Sequence, residues 1–170
     1  LEQAEFAECL LLTDAALPRL DPRIRVVPIE PIRSSAAYSA FILERLPEFI
    51  TSSHVLIVQW DGFLLHARQW DPVFLSFDYI GAVWPQFQDG HNVGNGGFSL
   101  RSRKLLDACR ASDFRGSHPE GLAICRMNRP LLEREHGIRF ADHGTAARFS
   151  FEREAPTRPT FGFHGIFNMI

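Results

Sequence analysis

Short apolar runs alternate with polar stretches bearing proline and glycine, and their lengths predict strands alternating with helices. Cys9 to Thr13 is an apolar run closed by Asp14, and Ile24 to Ile29 is a second, closed by Pro31. Ser34 or Ser35 can cap a helix through Ala37, Ala40 and Phe41 to about Leu46. Val55 to Val58 is continuous in apolar residues, which predicts a strand covered on both faces. Tyr79 to Val83 and Phe98 to Leu100 read as further strands, and Ser102 as the cap of a helix to about Ala111. Pro119 suits the first turn of a helix that reaches Glu135 and stops at Gly137, with Pro130 breaking it in two. Arg148 to Glu152 reads as a late strand, and Leu1 to Phe6 as a helix. The alternation predicts an α/β domain with a mostly parallel sheet flanked by helices. Such a sheet binds ligands beyond the carboxyl ends of its strands, where Asp14 and Gln59-Trp60-Asp61 fall.

Composition narrows the class. A chain of 170 residues, 45% hydrophobic and 22% charged, fits one globular domain over residues 1–170. A net charge of -2 argues against a nucleic-acid binder, which needs a basic stripe for the phosphates. Cys9, Cys109 and Cys125 form no CxxC pair, which argues against a disulfide framework or zinc knuckle and suits a reducing, cytoplasmic compartment. No apolar run reaches the length of a membrane span, and no signal peptide is visible. The chain opens at Leu1 without Met, inside the expected helix, so truncation at the N-terminus is expected.

Four constellations could carry chemistry. In His54 to Phe63 a buried strand runs into Asp61-Gly62, so Asp61 is either a turn acid or a hard oxygen ligand for Mg²⁺ or Mn²⁺. Gly94-Asn95-Gly96-Gly97-Phe98-Ser99-Leu100-Arg101 is either a tight loop or a place where backbone meets ligand closely. It is neither a Walker loop nor a dinucleotide fingerprint. In Ser117-His118-Pro119-Glu120-Gly121, Glu120 is either a helix-start acid favoured by the dipole or a general base. In Phe161-Gly162-Phe163-His164-Gly165, His164 is either a structural hydrogen-bonder or a metal ligand.

The order of these four pieces resembles the GT-A glycosyltransferases, which carry an Asp-x-Asp metal motif, a glycine-rich loop, an acidic x-Glu-Asp motif and a late His ligand. Gln59-Trp60-Asp61, Gly96-Gly97, Pro119-Glu120-Gly121 and His164 stand at the corresponding places. More narrowly, Gln59 to Phe63, Asp78 to Trp84, Gly94 to Arg103 and Phe161 to Gly165 look like an uncharacterised bacterial and fungal family of glycosyltransferases with QxD in place of DxD. The resemblance implies a Rossmann-like GT-A sheet lacking its first strand. It implies a nucleotide-sugar donor and a glycan or other hydroxyl acceptor, with Asp61 and His164 holding Mn²⁺ or Mg²⁺. Glu120 would be the base of an inverting transfer, and Arg101 a second clamp on the diphosphate. Asp14, Gln59, Trp60, Trp84, Gly96 and Gly97 would line the donor and acceptor sites. Two positions depart from the pattern: Gln59 replaces the first acid of the metal motif, and Gly121 the second acid of the acidic motif. A rival reading is therefore a module of this kind that binds sugar nucleotide or glycan without turnover. A nucleotidyltransferase, the other rival, would want a basic, Gly-rich first loop that the N-terminal segment lacks.

Overall fold

The computed structural model describes residues 4–17 and 19–169. Strand β1 (Cys9–Thr13) pairs in parallel with β2 (Ile24–Pro28), Cys9 opposite Ile24. Ser34 caps α1 (Ser35–Ala40) by accepting from Ala37 N at 3.1 Å. The helix then widens to a π turn over Phe41–Arg45 and tightens to a 3₁₀ turn over Leu46–Phe49, at Pro47. Strand β3 (His54–Val58) ends in a turn at 59–62, closed by Gly62 N donating to Gln59 O at 2.9 Å, and the chain continues as β4 (Gly62–Leu64). The C-terminal part of the expected helix 1–6 is not helical, and residues 1–3 lie outside the described residues.

The expected strand Tyr79–Val83 divides into β5 (Tyr79–Ile80) and β6 (Ala82–Val83), which join different sheets. Gly81 marks the crossing, because a Cβ there would lie 1.8 Å from Gly94 O. Then come β7 (Val93–Gly94), β8 (Phe98–Ser102) and α2 (Arg103–Ala108), the last capped by Ser102 Oγ accepting from Leu105 N. The long helix expected from Pro119 is α3 (Glu120–Leu122), a π turn over Ala123–Met127 and α4 (Arg129–Glu135). The break falls at Asn128, which closes on Ala123 O and Arg115 O through its amide. Gly137 follows the helix at φ 60°, as its stop position requires. The expected late strand Arg148 to Glu152 begins inside a helix: α5 (His143–Phe149), capped by Asp142 accepting from Thr145 N, takes its first two residues, and β9 (Ser150–Phe151) the next two, before β10 (Gly162–His164).

This arrangement overturns the expected mostly parallel, Rossmann-like GT-A sheet. Among the described residues there are three small sheets: parallel β1-β2, antiparallel β3-β8-β5, and mixed β4-β10-β9-β6-β7. The five α-helices described are short, none longer than 7 residues. Apolar runs report burial but not strand direction, and β3 reads like a parallel strand while pairing antiparallel at a sheet edge with Val58 half exposed. No helix among the described residues is long and apolar enough to cross a membrane.

The core lies between the two larger sheets and the helices. Phe74, Phe98, Phe149 and Phe161 are fully or almost fully buried, with ring centroids 5.3–5.9 Å apart in contacting pairs. Each such ring stabilises by about 1.5–3 kcal/mol. Phe98 also seats β10, since a Cβ on Gly162 would lie 2.2 Å from its ring. Cys9, Cys109 and Cys125 are free thiols. Burial pushes the Cys109 and Cys125 thiols up to about 12, whereas Cys9 is only half-buried. A thiol-reagent titration of native protein is therefore expected to report no more than one rapidly reacting cysteine, and all three after unfolding; a second fast thiol would contradict this packing.

Candidate functional site

The antiparallel register of β3 and β8 sets Val58 opposite Phe98. The turn after β3 and the glycine loop before β8 therefore meet at one end of this sheet, with Gln59 N donating to Gly97 O at 2.8 Å. Strand β10 pairs antiparallel with β4, His164 opposite Gly62, and Gly165 N donates to Asp61 O at 3.0 Å. Three segments remote in sequence thus converge. His164 Nε2 lies 3.1 Å from Asp61 Oδ1 and 3.2 Å from Gln59 Oε1. Gly97 makes the approach possible: a Cβ there would stand 2.0 Å from Nε2.

Behind His164 sits Glu152, which the sequence reading missed. Its Oε1 is 3.3 Å from His164 Nδ1, its Oε2 accepts from Trp84 Nε1 at 3.2 Å, and Asn168 Nδ2 donates to both the Glu152 and His164 carbonyls at 2.8 Å. Burial works against the Glu152 charge, but His164, Trp84 and Arg153 together outweigh it and lower the carboxyl pKa. Burial also works against the His164 charge, yet the Glu152 hydrogen bond and the Asp61 and Glu152 carboxylates raise its pKa overall.

On the other side of the loop, Gly96 meets Glu120: a Cβ on Gly96 would lie 2.1 Å from Glu120 Oε1. Asn95, at φ 74°, bends the loop; its Oδ1 accepts from Gly97 N and its carbonyl from the Tyr79 hydroxyl. Arg101 is 0% exposed. Its Nη2 donates to Glu120 Oε1 at 3.1 Å and its Nε to Ser99 Oγ at 3.1 Å. Burial disfavours its charge, but the Tyr79 oxygen and the Glu120 carboxylate outweigh that and push its pKa up. Arg101 thus braces Glu120 from inside the fold and is no surface clamp for a diphosphate.

Helix α1 joins the two halves. Tyr38 lies beside the Gln59 side chain, and the next residue, Ser39, contacts Glu120 and His118. The result is a closed circuit: Tyr38, Gln59, His164, Gly97, Gly96, Glu120 and Ser39. Among the remaining expected residues, Trp84 is buried behind Gly94 and holds Glu152, so it supports the site without facing a ligand. Trp60 is 74% exposed at the turn beside Asp61. Asp14 is exposed after β1, and among the described residues no hydrogen bond or ion pair joins it to the circuit. Among the described residues no three His, Cys, Asp or Glu side chains gather as a metal site. Two cavities among the described residues, of about 440 and 420 Å³, lie elsewhere, beside Leu65–Gln69 and between Leu43 and Phe114.

The fold and site define a protein of small mixed and antiparallel sheets that closes one acid–imidazole cluster and one buried acid–guanidinium pair around a glycine loop. The chain belongs to the family described as protein of unknown function, DUF5672, whose model matches residues 21–164. No curated protein and no solved structure matches the chain.

Proposed function

We propose that this chain is a metal-dependent glycosyltransferase that moves a sugar from a nucleotide-sugar donor to a hydroxyl acceptor with inversion. The observation that carries the reading is the convergence of Asp61 and Gln59 on His164 Nε2, beside a Gly97 that leaves no side chain between. These donors fit a Mn²⁺ or Mg²⁺ ion: a carboxylate oxygen, an amide oxygen and an imidazole nitrogen meet at one point. The other imidazole nitrogen is oriented by Glu152, as the outer contacts of a ligating histidine commonly are. Asp61 and His164 would hold the ion, with Gln59 as a neutral third donor. When bound, a divalent ion neutralises the charge that develops on the leaving diphosphate. Gly96 and Gly97 let Glu120 and His164 close on the loop, and Trp60 offers an exposed ring face beside Asp61.

A panel of UDP- and GDP-sugars, with and without Mn²⁺, tests this by thermal shift. The expected result is a rise in Tm that needs both components and vanishes in Asp61→Asn. At a donor concentration of 100 Kd the stabilisation is about 2.7 kcal/mol. No rise with any donor overturns the reading. A second reading, a sugar-nucleotide-binding module without turnover, is favoured by one feature: Glu120 is engaged with buried Arg101, and Gly121 offers no second acid. Such a module would bind donor with Mn²⁺ but release no nucleotide, whereas the enzyme releases it.

A further inference from the structure

Glu120 is 5% exposed, with Oε1 on Arg101 and Oε2 3.4 Å from Ser39 Oγ. A base must come within direct or one-water reach of the proton that it removes. Both oxygens of Glu120 are already engaged, and they face inward. His118 is exposed, and it stands at the outer end of the same chain of contacts. Its Nδ1 is 2.9 Å from Ser39 Oγ and its Nε2 is 3.3 Å from Ser35 Oγ.

The partners of Ser39 fix the proton positions. The Glu120 amide donates to Ser39 Oγ at 3.2 Å and can only donate. The Glu120 carboxylate, paired with Arg101, accepts from the Ser39 hydroxyl at 3.4 Å, which places the Ser39 proton on that side. Ser39 Oγ then has one lone pair left for His118, whose Nδ1 must carry the hydrogen. That leaves Nε2 as a free lone pair, directed outward at a hydroxyl. Ser35 Oγ occupies the position that a hydroxyl takes at this nitrogen.

We infer that His118 is the base that deprotonates the acceptor hydroxyl, oriented by Ser39 and by the buried Glu120–Arg101 pair; this rests on the glycosyl-transfer reading above. Ser39 and Glu120 are positioning residues. In the step, His118 Nε2 takes the acceptor proton as the acceptor oxygen bonds to the anomeric carbon. The bond from that carbon to the diphosphate oxygen breaks, and its electron pair leaves with the diphosphate. Consecutive residues link this base to the donor side twice: Gly96 touches Glu120 while Gly97 touches His164, and Ser39 touches His118 while Tyr38 touches Gln59.

His118→Asn is the discriminating variant, because its amide can still donate to Ser39 while the Nε2 lone pair is lost. Transfer is assayed with Mn²⁺ and the UDP- or GDP-sugar giving the largest thermal shift, with water and a panel of methyl glycosides as acceptors. The expected result is a loss of about 10²-fold or more in turnover with an unchanged donor-induced shift. Wild-type turnover in this variant overturns the assignment. Independently, ¹⁵N spectra of the His118 ring are expected to show the Nδ1–H tautomer, with that preference lost in Ser39→Ala. An Nε2–H tautomer in the wild type also overturns it. Failure of the underlying reading is seen separately, as a wild type that neither shifts with any donor nor releases nucleotide, and it removes this assignment too.

Discussion

Arg101→Met is expected to lower the free energy of unfolding by about 3–5 kcal/mol, because it strands a buried carboxylate without its counter-charge. Arg101 is 0% exposed and Glu120 5%, so water cannot take over the solvation of either group. Methionine fills much of the arginine stem's volume and keeps the loss mainly electrostatic. Denaturant unfolding monitored by tryptophan fluorescence measures the effect. The double variant Arg101→Met, Glu120→Leu removes both charges and is expected to recover most of the loss, since an apolar pair in place of a buried ion pair is often neutral. A loss below about 1 kcal/mol in the single variant would place the pair among solvated surface bridges. The same pair makes Glu120→Gln a poor test of catalysis, because it leaves Arg101 charged and unpaired in the interior.

Gly97→Val is expected to abolish the Mn²⁺-dependent donor shift while costing less stability, about 1–3 kcal/mol from overpacking. The Cβ alone would stand 2.0 Å from His164 Nε2 and 2.2 Å from Cδ2. The ring has little freedom to retreat. Its Nδ1 is held by Glu152, its backbone carbonyl by Asn168, and the preceding Phe163 ring is stacked between Phe63 and Phe151. Titration with Mn²⁺ and donor in the folded variant reads the outcome. Donor affinity at the wild-type level would show that the glycine loop is architectural only.

Much of the site could be read in the sequence, and much of the fold could not. The turn acid after an apolar run and the Gly-Asn-Gly-Gly stretch pointed to Asp61, Gly96 and Gly97, and the late His to His164; these four lie together. Helix starts were legible where a serine side chain caps the backbone, as at Ser34 and Ser102. Strand direction was not, because burial on both faces and burial beneath loops produce the same apolar run. The first two residues of the expected strand Arg148 to Glu152 belong to α5, whose start signal, Asp142, is masked by a glycine at the second helical position. Glu152 itself carried no local sign: its role exists only once β9 lies beside β10. His118 stood in a stretch already singled out, but its partner Ser39 lies on α1 and no spacing rule connects them.

Strand β10 lies between β4 and β9, although it follows every other strand of that sheet in the chain. Synthesis therefore leaves a slot: until Gly162–His164 emerge, β4 and β9 present unpaired edges toward each other and Phe98 lacks the backbone that covers its ring. Open strand edges recruit foreign strands, and pairings between distant segments form slowly. A chain cut before Gly162 would thus be both open to aggregation and without His164 to offer a ligand, so this sheet and the site mature together.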